Sequence, residues 1–98
     1  MVAVGPDATI KVGQKVAVEN HFYCSQCSLC KEGRGDICMH MSQFGYGKGT
    51  NQGGCCELAN VPSRYLYEIN SNITFEQACL MEPLGVAHNI IERARGIF

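Results

Sequence analysis

A small, mainly β domain with a helical C-terminal segment is the fold class that this sequence predicts. Apolar and polar residues alternate over residues 10–19, as they do in half-buried strands. β-favouring residues return over residues 55–69, and a helical repeat of apolar residues follows over about 74–95. The 98 residues are 46% hydrophobic and include 11 glycines but no tryptophan, which favours one small, loop-rich core over a helical bundle.

The first β pattern predicts a strand, a turn and a second strand. Gly13-Gln14 interrupts the alternation and is expected to form the turn. The apolar positions of the pattern are Ile10, Val12, Val16 and Val18, and the polar ones are Lys11, Lys15 and Glu19.

The second β pattern, over residues 55–69, predicts two short strands with a turn at Pro62-Ser63. Adjacent strand residues point to opposite faces, so one of Cys55 and Cys56 is expected in the core and the other at the surface. Tyr65 and Tyr67 share a strand face and are expected in the core or at an interface.

The C-terminal segment is predicted to be two helices. Thr74 and Gln77 have the spacing of a capping box, in which each side chain bonds the other residue's backbone. Pro83 removes a helical hydrogen bond, so the two helices are expected to meet near Glu82. Cys79 is expected to be a small buried side chain. One apolar face of the second helix is predicted from the repeat of Ala87, Ile90, Ile91 and Ala94.

Four of the seven cysteines fall in a glycine-rich stretch with the spacing C-x2-C-x2-C-x7-C: Cys24, Cys27, Cys30 and Cys38. A zinc ion bound by four thiolates needs tight turns between its ligands, and the two-residue gaps supply them. Gly33 and Gly35 allow the chain to return for the last cysteine. Four thiolates leave no open coordination position, so the spacing indicates a structural zinc, one per chain, rather than a catalytic one.

Other uses of these four cysteines fit the sequence less well. A ferredoxin-type iron–sulfur cluster has a last gap of three residues followed by proline, whereas here the gap is seven and Met39 follows. Disulfides need an oxidising compartment. A redox-active C-x-x-C normally opens a helix after a strand, and this one lies in a glycine-rich loop.

Charge and hydropathy bound the partners and the location. The formal charge is −1 and the basic residues are scattered, so neither a nucleic acid nor an anionic membrane is expected as a partner, and a nucleic-acid-binding zinc ribbon is disfavoured. No apolar run is long enough to span a membrane and no signal peptide is recognisable, which predicts a cytoplasmic protein. The glycosylation sequon at Asn72 is interpreted as chance.

Three stretches in this order resemble the zinc-dependent medium-chain dehydrogenase family, in particular its threonine and polyol dehydrogenases. They are VGQKVAVENHFYCSQCSLCKEGRGDIC, QGGCCELANVPSRYLY and ITFEQACLMEPLGVAHNII. The resemblance implies part of a GroES-like catalytic domain over residues 1–98. That domain is a partly open β-barrel with a zinc lobe at about 20–48 and a helical segment at about 74–95.

Residue roles follow from the resemblance at matching positions. Cys24, Cys27, Cys30 and Cys38 match the family's structural zinc ligands. Glu82 matches a carboxylate at or near the catalytic zinc. Gly53 and Gly54 match a glycine pair that leads into the strand after the lobe. Independently of the resemblance, His21 and His40 flank the cysteines but are not expected to be ligands, because four cysteines already close the site. His88 lies six residues after Glu82 and far round the helix from it, so no His-Glu zinc motif is expected there.

The resemblance also implies hydride transfer from an alcohol to NAD(P)+ in a full-length enzyme. The family's other catalytic-zinc ligands and its Rossmann domain are not found in these residues, so the chain alone is expected to be inactive. The alternative is a stand-alone structural zinc module with no reaction of its own. With either function, unpaired strand edges and the apolar helix face lead us to expect a homo-oligomer.

Overall fold

The computed structural model describes residues 1–46 and 52–96, and its described strands form two separate antiparallel pairs. Strand β1 (Val16–Val18) pairs with β4 (Leu66–Glu68), and β2 (His21–Phe22) pairs with β3 (Ser42–Gln43). The first pair places Ala17 opposite Tyr67. Strands and a C-terminal helix are observed, as predicted, but the strands are short, and the described residues do not confirm the predicted partly open barrel.

Two short helical turns lie between β2 and β3. Helix α1 covers Ser28–Lys31, and a 3-10 turn covers Gly35–Ile37. Strands β2 and β3 pair at the two ends of this segment, where the Phe44 N–H also donates to the Asn20 carbonyl at 3.0 Å. Residues 20–46 therefore form a lobe, called the cysteine lobe below. Residues 47–48, at the end of the predicted zinc lobe, lie outside the described residues.

Aromatic rings join the cysteine lobe to the β1–β4 pair. Tyr65, in a 3-10 turn at Ser63–Tyr65, is only 2% exposed. Its ring stacks on Phe22 with centroids 4.2 Å apart, and Tyr23 meets it edge-on at 5.7 Å. The Tyr65 hydroxyl donates to the Tyr23 carbonyl at 2.6 Å. The Tyr65 side chain thus contacts Phe22 at the end of β2 and Tyr23 next to the first cysteine, and joins both to the start of β4.

No strand forms at residues 10–12, so the prediction of a strand there was wrong. The predicted turn is present, with Gly13 at φ 88, a conformation that suits glycine. The backbone before it bonds locally instead of pairing with a strand. The Lys11 N–H donates to Gln14 Oε1 at 2.6 Å, and the Gly13 N–H donates to the Met1 carbonyl at 2.9 Å. Ile10 is buried, but Val12 is exposed, so the alternation does not mark a sheet face.

The first of the two strands predicted in residues 55–69 is also absent, and only β4 forms. The Gln52 side chain takes the place of a neighbouring strand. Its amide nitrogen donates to the Leu58 carbonyl at 2.6 Å, and its oxygen accepts from the Asn60 N–H at 3.3 Å. Gly53 and Gly54 therefore lead into a bent segment rather than a strand.

Burial of several side chains in this half of the chain also differs from expectation. Cys55 and Cys56 are both exposed, so the expected alternation between core and surface fails because there is no strand. Cys79 is exposed as well, and the prediction that it is buried was wrong. Tyr65 is in the core as predicted, whereas Tyr67 is 51% exposed.

The C-terminal segment contains α2 (Phe75–Ala78) and α3 (Met81–Arg95). The predicted capping box is confirmed, since the Gln77 N–H donates to Thr74 Oγ1 at 3.2 Å and the Thr74 N–H donates to Gln77 Oε1 at 3.0 Å. The predicted break lies slightly earlier than Glu82, at Cys79-Leu80. Pro83 is accepted inside the first turn of α3 because N–H groups there have no helical acceptor.

Replacement of Thr74 by alanine is expected to destabilise the folded chain by about 1 kcal/mol, since the Gln77 N–H loses its acceptor and the four-residue α2 loses its cap. Denaturant unfolding measures the change, and amide exchange at Gln77 localises it. Thr74→Ser is the control, because it keeps the hydroxyl and should remain close to the original stability. Equal losses for alanine and serine would contradict this role for the hydroxyl.

Helix α3 has solvent-exposed apolar residues in the described part of the chain. Ile90 is 62% exposed and Ile91 is 54% exposed, so the predicted apolar face exists but has no covering element among residues 1–46 and 52–96. An open groove of about 1180 Å³ separates α2 and α3 from the β1–β4 pair; Val16, Tyr67, Phe75, Glu82 and Ile90 are among its lining residues. In the described residues, no helix has the length and apolarity needed to cross a bilayer.

Candidate metal centre

The cysteine lobe brings four thiol groups together at one point. The Sγ atoms of Cys24, Cys27, Cys30 and Cys38 all lie within 4.8 Å of one another, and none is in a disulfide. The Cys24–Cys30 and Cys27–Cys38 sulfur pairs are each 4.0 Å apart. Zinc–sulfur bonds of about 2.3 Å in a tetrahedron place sulfur atoms about 3.8 Å apart, so this four-cysteine cluster has close to the dimensions of a zinc tetrathiolate.

Local backbone geometry explains how the chain gathers these thiols. Ser25 adopts a positive φ of 61, which turns the chain sharply between Cys24 and Cys27. Cys27 then precedes α1, and the single turn of that helix carries Cys30. Gly33 has φ 79 and reverses the chain after α1, as the sequence suggested. The 3-10 turn follows and ends at Cys38, the one buried member of the cluster.

Backbone N–H groups donate hydrogen bonds to the sulfur atoms of the cluster. Cys24 Sγ accepts from the N–H groups of Gln26 and Cys27, at 3.4 and 3.3 Å. Cys38 Sγ accepts from those of Cys24 and His40, both at 3.3 Å. Such donors stabilise a thiolate over a thiol, and thiolates are the form that binds metal.

These contacts separate the pKa values of the thiols in the absence of metal. Backbone N–H donors, from Cys30 and Met39, lower the pKa of Cys27 to about 6. The pKa of Cys24 is also lowered, chiefly by the N–H groups of Gln26 and Cys27. Desolvation raises the pKa of Cys30 to about 12, and neighbouring thiols add to that rise. The cluster therefore combines Cys27, which is a thiolate near neutral pH, with Cys30, whose proton must be displaced by the metal ion.

The cluster is tied to the hydrophobic core through Tyr23, which precedes Cys24. The Tyr23 carbonyl accepts the Tyr65 hydroxyl, as described above, and its ring lies over Gly35. A Cβ atom at Gly35 would come within 3.1 Å of that ring, so a side chain there would push Tyr23 away. Tyr23 therefore links the packing of the core to the position of Cys24, the first cysteine of the cluster.

The other candidate ligands from the sequence lie outside the cluster. His21 contacts Gln43 at 3.1 Å and Glu19 at 3.9 Å, and His40 reaches the cluster only through its backbone N–H. His88 and Glu82 lie on α3, where Glu82 is exposed and lines the groove. Within residues 1–46 and 52–96, the four cysteines are the only set of three or more His, Cys, Asp or Glu groups close enough to share a metal ion.

Sequence reasoning missed two features that shape this region. Ser25 is a non-glycine residue in a left-handed conformation, which residue type does not reveal. The hydrogen bonds between the Gln52 side-chain amide and the backbone at Leu58 and Asn60 leave no periodic pattern in the sequence. The four-cysteine cluster, in contrast, was predictable because its spacing directly encodes the tight turns that bring the thiols together.

Comparison with known proteins identifies the domain. Residues 1–71 match the alcohol dehydrogenase GroES-like domain. The chain belongs to this family. The resemblance to zinc-dependent medium-chain dehydrogenases, inferred from the order of the three sequence stretches, is thereby confirmed. No solved structure gives a significant match to the chain.

Curated relatives of this GroES-like chain include dehydrogenases and a reductase. It is 39% identical over 88 residues to an L-threonine 3-dehydrogenase of Pyrococcus furiosus, covering 89% of the chain and 24% of that protein. It is 34% identical over 86 residues to a probable D-xylulose reductase A of Aspergillus terreus, covering 88% and 24%. An L-threonine 3-dehydrogenase of Legionella pneumophila is 35% identical over 89 residues, covering 89% and 25%. The chain thus spans about a quarter of the length of these relatives.

Proposed function

We propose that Cys24, Cys27, Cys30 and Cys38 hold one structural zinc ion that orders the cysteine lobe of a dehydrogenase catalytic domain. The observation that carries this proposal is the convergence of four Sγ atoms within 4.8 Å, at distances close to those of a zinc tetrathiolate. The donor set is all sulfur, which suits zinc and leaves no position for a substrate. Zinc would supply folding energy to a lobe whose only buried apolar side chains are Phe22 and Cys38.

Cobalt substitution tests the ligand set directly. Co(II) in a tetrahedral site of four thiolates gives intense visible bands and sulfur-to-metal charge-transfer absorption, and both should saturate at one cobalt per chain. Cys30→Ser should reduce the charge-transfer intensity because a sulfur ligand is lost. Cys55→Ser, at an exposed cysteine outside the cluster, is the matched control and should leave the spectrum unchanged. A spectrum that is insensitive to Cys30→Ser would overturn the proposed ligand set.

Zinc binding is expected to release fewer than four protons per ion at about pH 7.5. Cys27, with a pKa of about 6, is already a thiolate there, whereas Cys30, with a pKa of about 12, must lose its proton to the metal. The number should rise as the pH falls below the pKa of Cys27, and zinc affinity should fall in the same direction. Calorimetry in buffers of different ionisation enthalpy counts these protons. Release of four protons per zinc ion at about pH 7.5, as well as below the pKa of Cys27, would contradict the lowered pKa of Cys27.

We propose a second role, for Glu82, only in a full-length dehydrogenase. There its carboxylate would lie at or near a catalytic zinc that polarises an alcohol for hydride transfer to NAD(P)+, as the family resemblance implies. What supports this is its exposed position in the first turn of α3, facing the open groove. Threonine, polyol or related alcohols are the substrate class that the relatives' names suggest.

The 98-residue chain by itself is proposed to lack dehydrogenase activity. Among residues 1–46 and 52–96, Glu82 belongs to no group of three or more His, Cys, Asp or Glu side chains close enough to share a metal ion. Incubation of zinc-loaded chain with NAD+ or NADP+ and threonine or xylitol should give no increase in absorbance from reduced cofactor. Turnover that is lost in Glu82→Gln would contradict this proposal, and contaminating enzymes are recognised because their activity does not depend on that substitution.

Self-association remains part of the proposal. The exposed apolar residues of α3 and the groove beside β1 provide apolar surface, including Leu84, Val86 and Ile90. Contiguous apolar surface of this kind favours association between proteins. Sedimentation analysis over a range of concentrations tests for a homo-oligomer, and a monomer at all concentrations would contradict it.

A further inference from the structure

We propose that Cys55 and Cys56 form a vicinal dithiol site that binds trivalent arsenicals, distinct from the four-cysteine cluster. Both residues are exposed and neither is in a disulfide. The remaining cysteines are less suited to this chemistry: four converge in the cluster, and Cys79 has no cysteine next to it in the sequence.

The backbone at these two residues is bent rather than extended. The Cys56 N–H donates to the Gly54 carbonyl at 2.9 Å, which closes a three-residue turn around Cys55. In a strand, adjacent side chains would point to opposite faces. The turn removes that constraint, so the two thiols are not held apart by a sheet.

Because the Cys55 and Cys56 thiols are adjacent in sequence and exposed, they favour binding of one ligand atom by both sulfurs. Consecutive Cα atoms are about 3.8 Å apart, and two short, exposed side chains on them can converge on one atom. The Cys56 thiol donates to the Gly53 carbonyl at 3.1 Å, and its sulfur accepts from the Gln52 side-chain amide at 3.7 Å. Both contacts are neutral and exposed, so they are readily exchanged for a ligand. Once one thiol has bound a bifunctional centre, the second attacks from a high effective concentration.

The reaction is a ligand exchange at arsenic. An organoarsonous centre carrying two hydroxyl groups loses both As–O bonds and gains As–S bonds to Cys55 and Cys56. Each thiol proton leaves with a hydroxide as water, and the arsenic stays trivalent, so no oxidant or reductant is needed. This binding does not require zinc at the four-cysteine cluster, although zinc there would shield the competing thiols.

Native mass spectrometry of zinc-loaded chain with one equivalent of phenylarsine oxide tests the site. We expect one phenylarsenic group per chain with zinc retained, stable to excess glutathione and removed by 2,3-dimercaptopropanol. Cys55→Ser and Cys56→Ser should each abolish the glutathione-resistant adduct, whereas Cys79→Ser should keep it. Retained zinc in each variant shows that the lobe is intact.

Three results would overturn the site. One is an adduct that survives in both Cys55→Ser and Cys56→Ser. Another is an adduct that forms only as zinc leaves, which would place arsenic in the four-cysteine cluster. The third is an adduct that glutathione removes, which would show attachment through a single thiol. If the chain proves to hold no zinc, the serine variants still locate the adduct, so the two proposals fail separately.

Discussion

Replacing Cys38 by serine is expected to weaken zinc binding by roughly a hundred-fold or more and to disorder the cysteine lobe. Structural zinc binds with about 10–16 kcal/mol of apparent free energy, so an equal share for each of four ligands is about 3 kcal/mol. Each factor of ten in affinity is about 1.4 kcal/mol, which gives the stated loss. Cys38 is the buried member of the cluster and also accepts two backbone N–H groups, so its loss affects Cys24 and His40 as well.

Competition with a chromophoric chelator measures the loss in zinc affinity, and amide exchange over residues 20–46 reports the order of the lobe. Cys56→Ser provides a matched control, because it makes the same chemical change at an exposed cysteine outside the cluster. The control should bind zinc as the original chain does. Unchanged affinity in Cys38→Ser would show that the last cysteine of the spacing is not a ligand.

Replacing Tyr65 by alanine is expected to destabilise the folded chain by about 3–5 kcal/mol. The side chain is 2% exposed, stacks on Phe22 and donates its hydroxyl to the Tyr23 carbonyl. The substitution leaves a cavity at the junction between the core and the cysteine lobe. Small domains are stable by only about 5–15 kcal/mol, so this loss would be a large fraction of the stability of the chain.

Denaturant unfolding of zinc-loaded protein measures this effect. Tyr67→Ala is the matched control, since it removes the same side chain two residues away at a position that is 51% exposed, and it should cost much less. Tyr65→Phe separates ring packing from the hydroxyl and should lose only about 1 kcal/mol. Similar losses for Tyr65→Ala and Tyr67→Ala would contradict the role of Tyr65 as the link between core and lobe.

The features that the sequence predicted well are those encoded over a few residues. The four-cysteine spacing specifies its turns, and Thr74 with Gln77 specifies the start of α2, because each bonds the backbone of the other. The helix break was predicted near Glu82 and lies at Cys79-Leu80, since proline fits within a first helical turn as well as it ends a preceding helix.

The features that the sequence did not predict depend on distant or side-chain partners. β1 pairs with β4 across about fifty residues of chain, and local alternation does not identify such a partner. The strands expected at residues 10–12 and near residue 55 did not form because Gln14 and Gln52 bond the backbone there. Side-chain amides that compete with strand pairing leave no periodic pattern in a sequence.

Zinc content per chain is the most direct test of the central claim, that the four-cysteine cluster is a structural zinc site. Native mass spectrometry of protein purified without added metal reads the zinc content and the oligomeric state together. We predict one zinc per chain, unchanged by Glu82→Gln and reduced in Cys38→Ser. A chain with no zinc, whose cluster thiols are oxidised or bound to an iron–sulfur cluster, would contradict the claim.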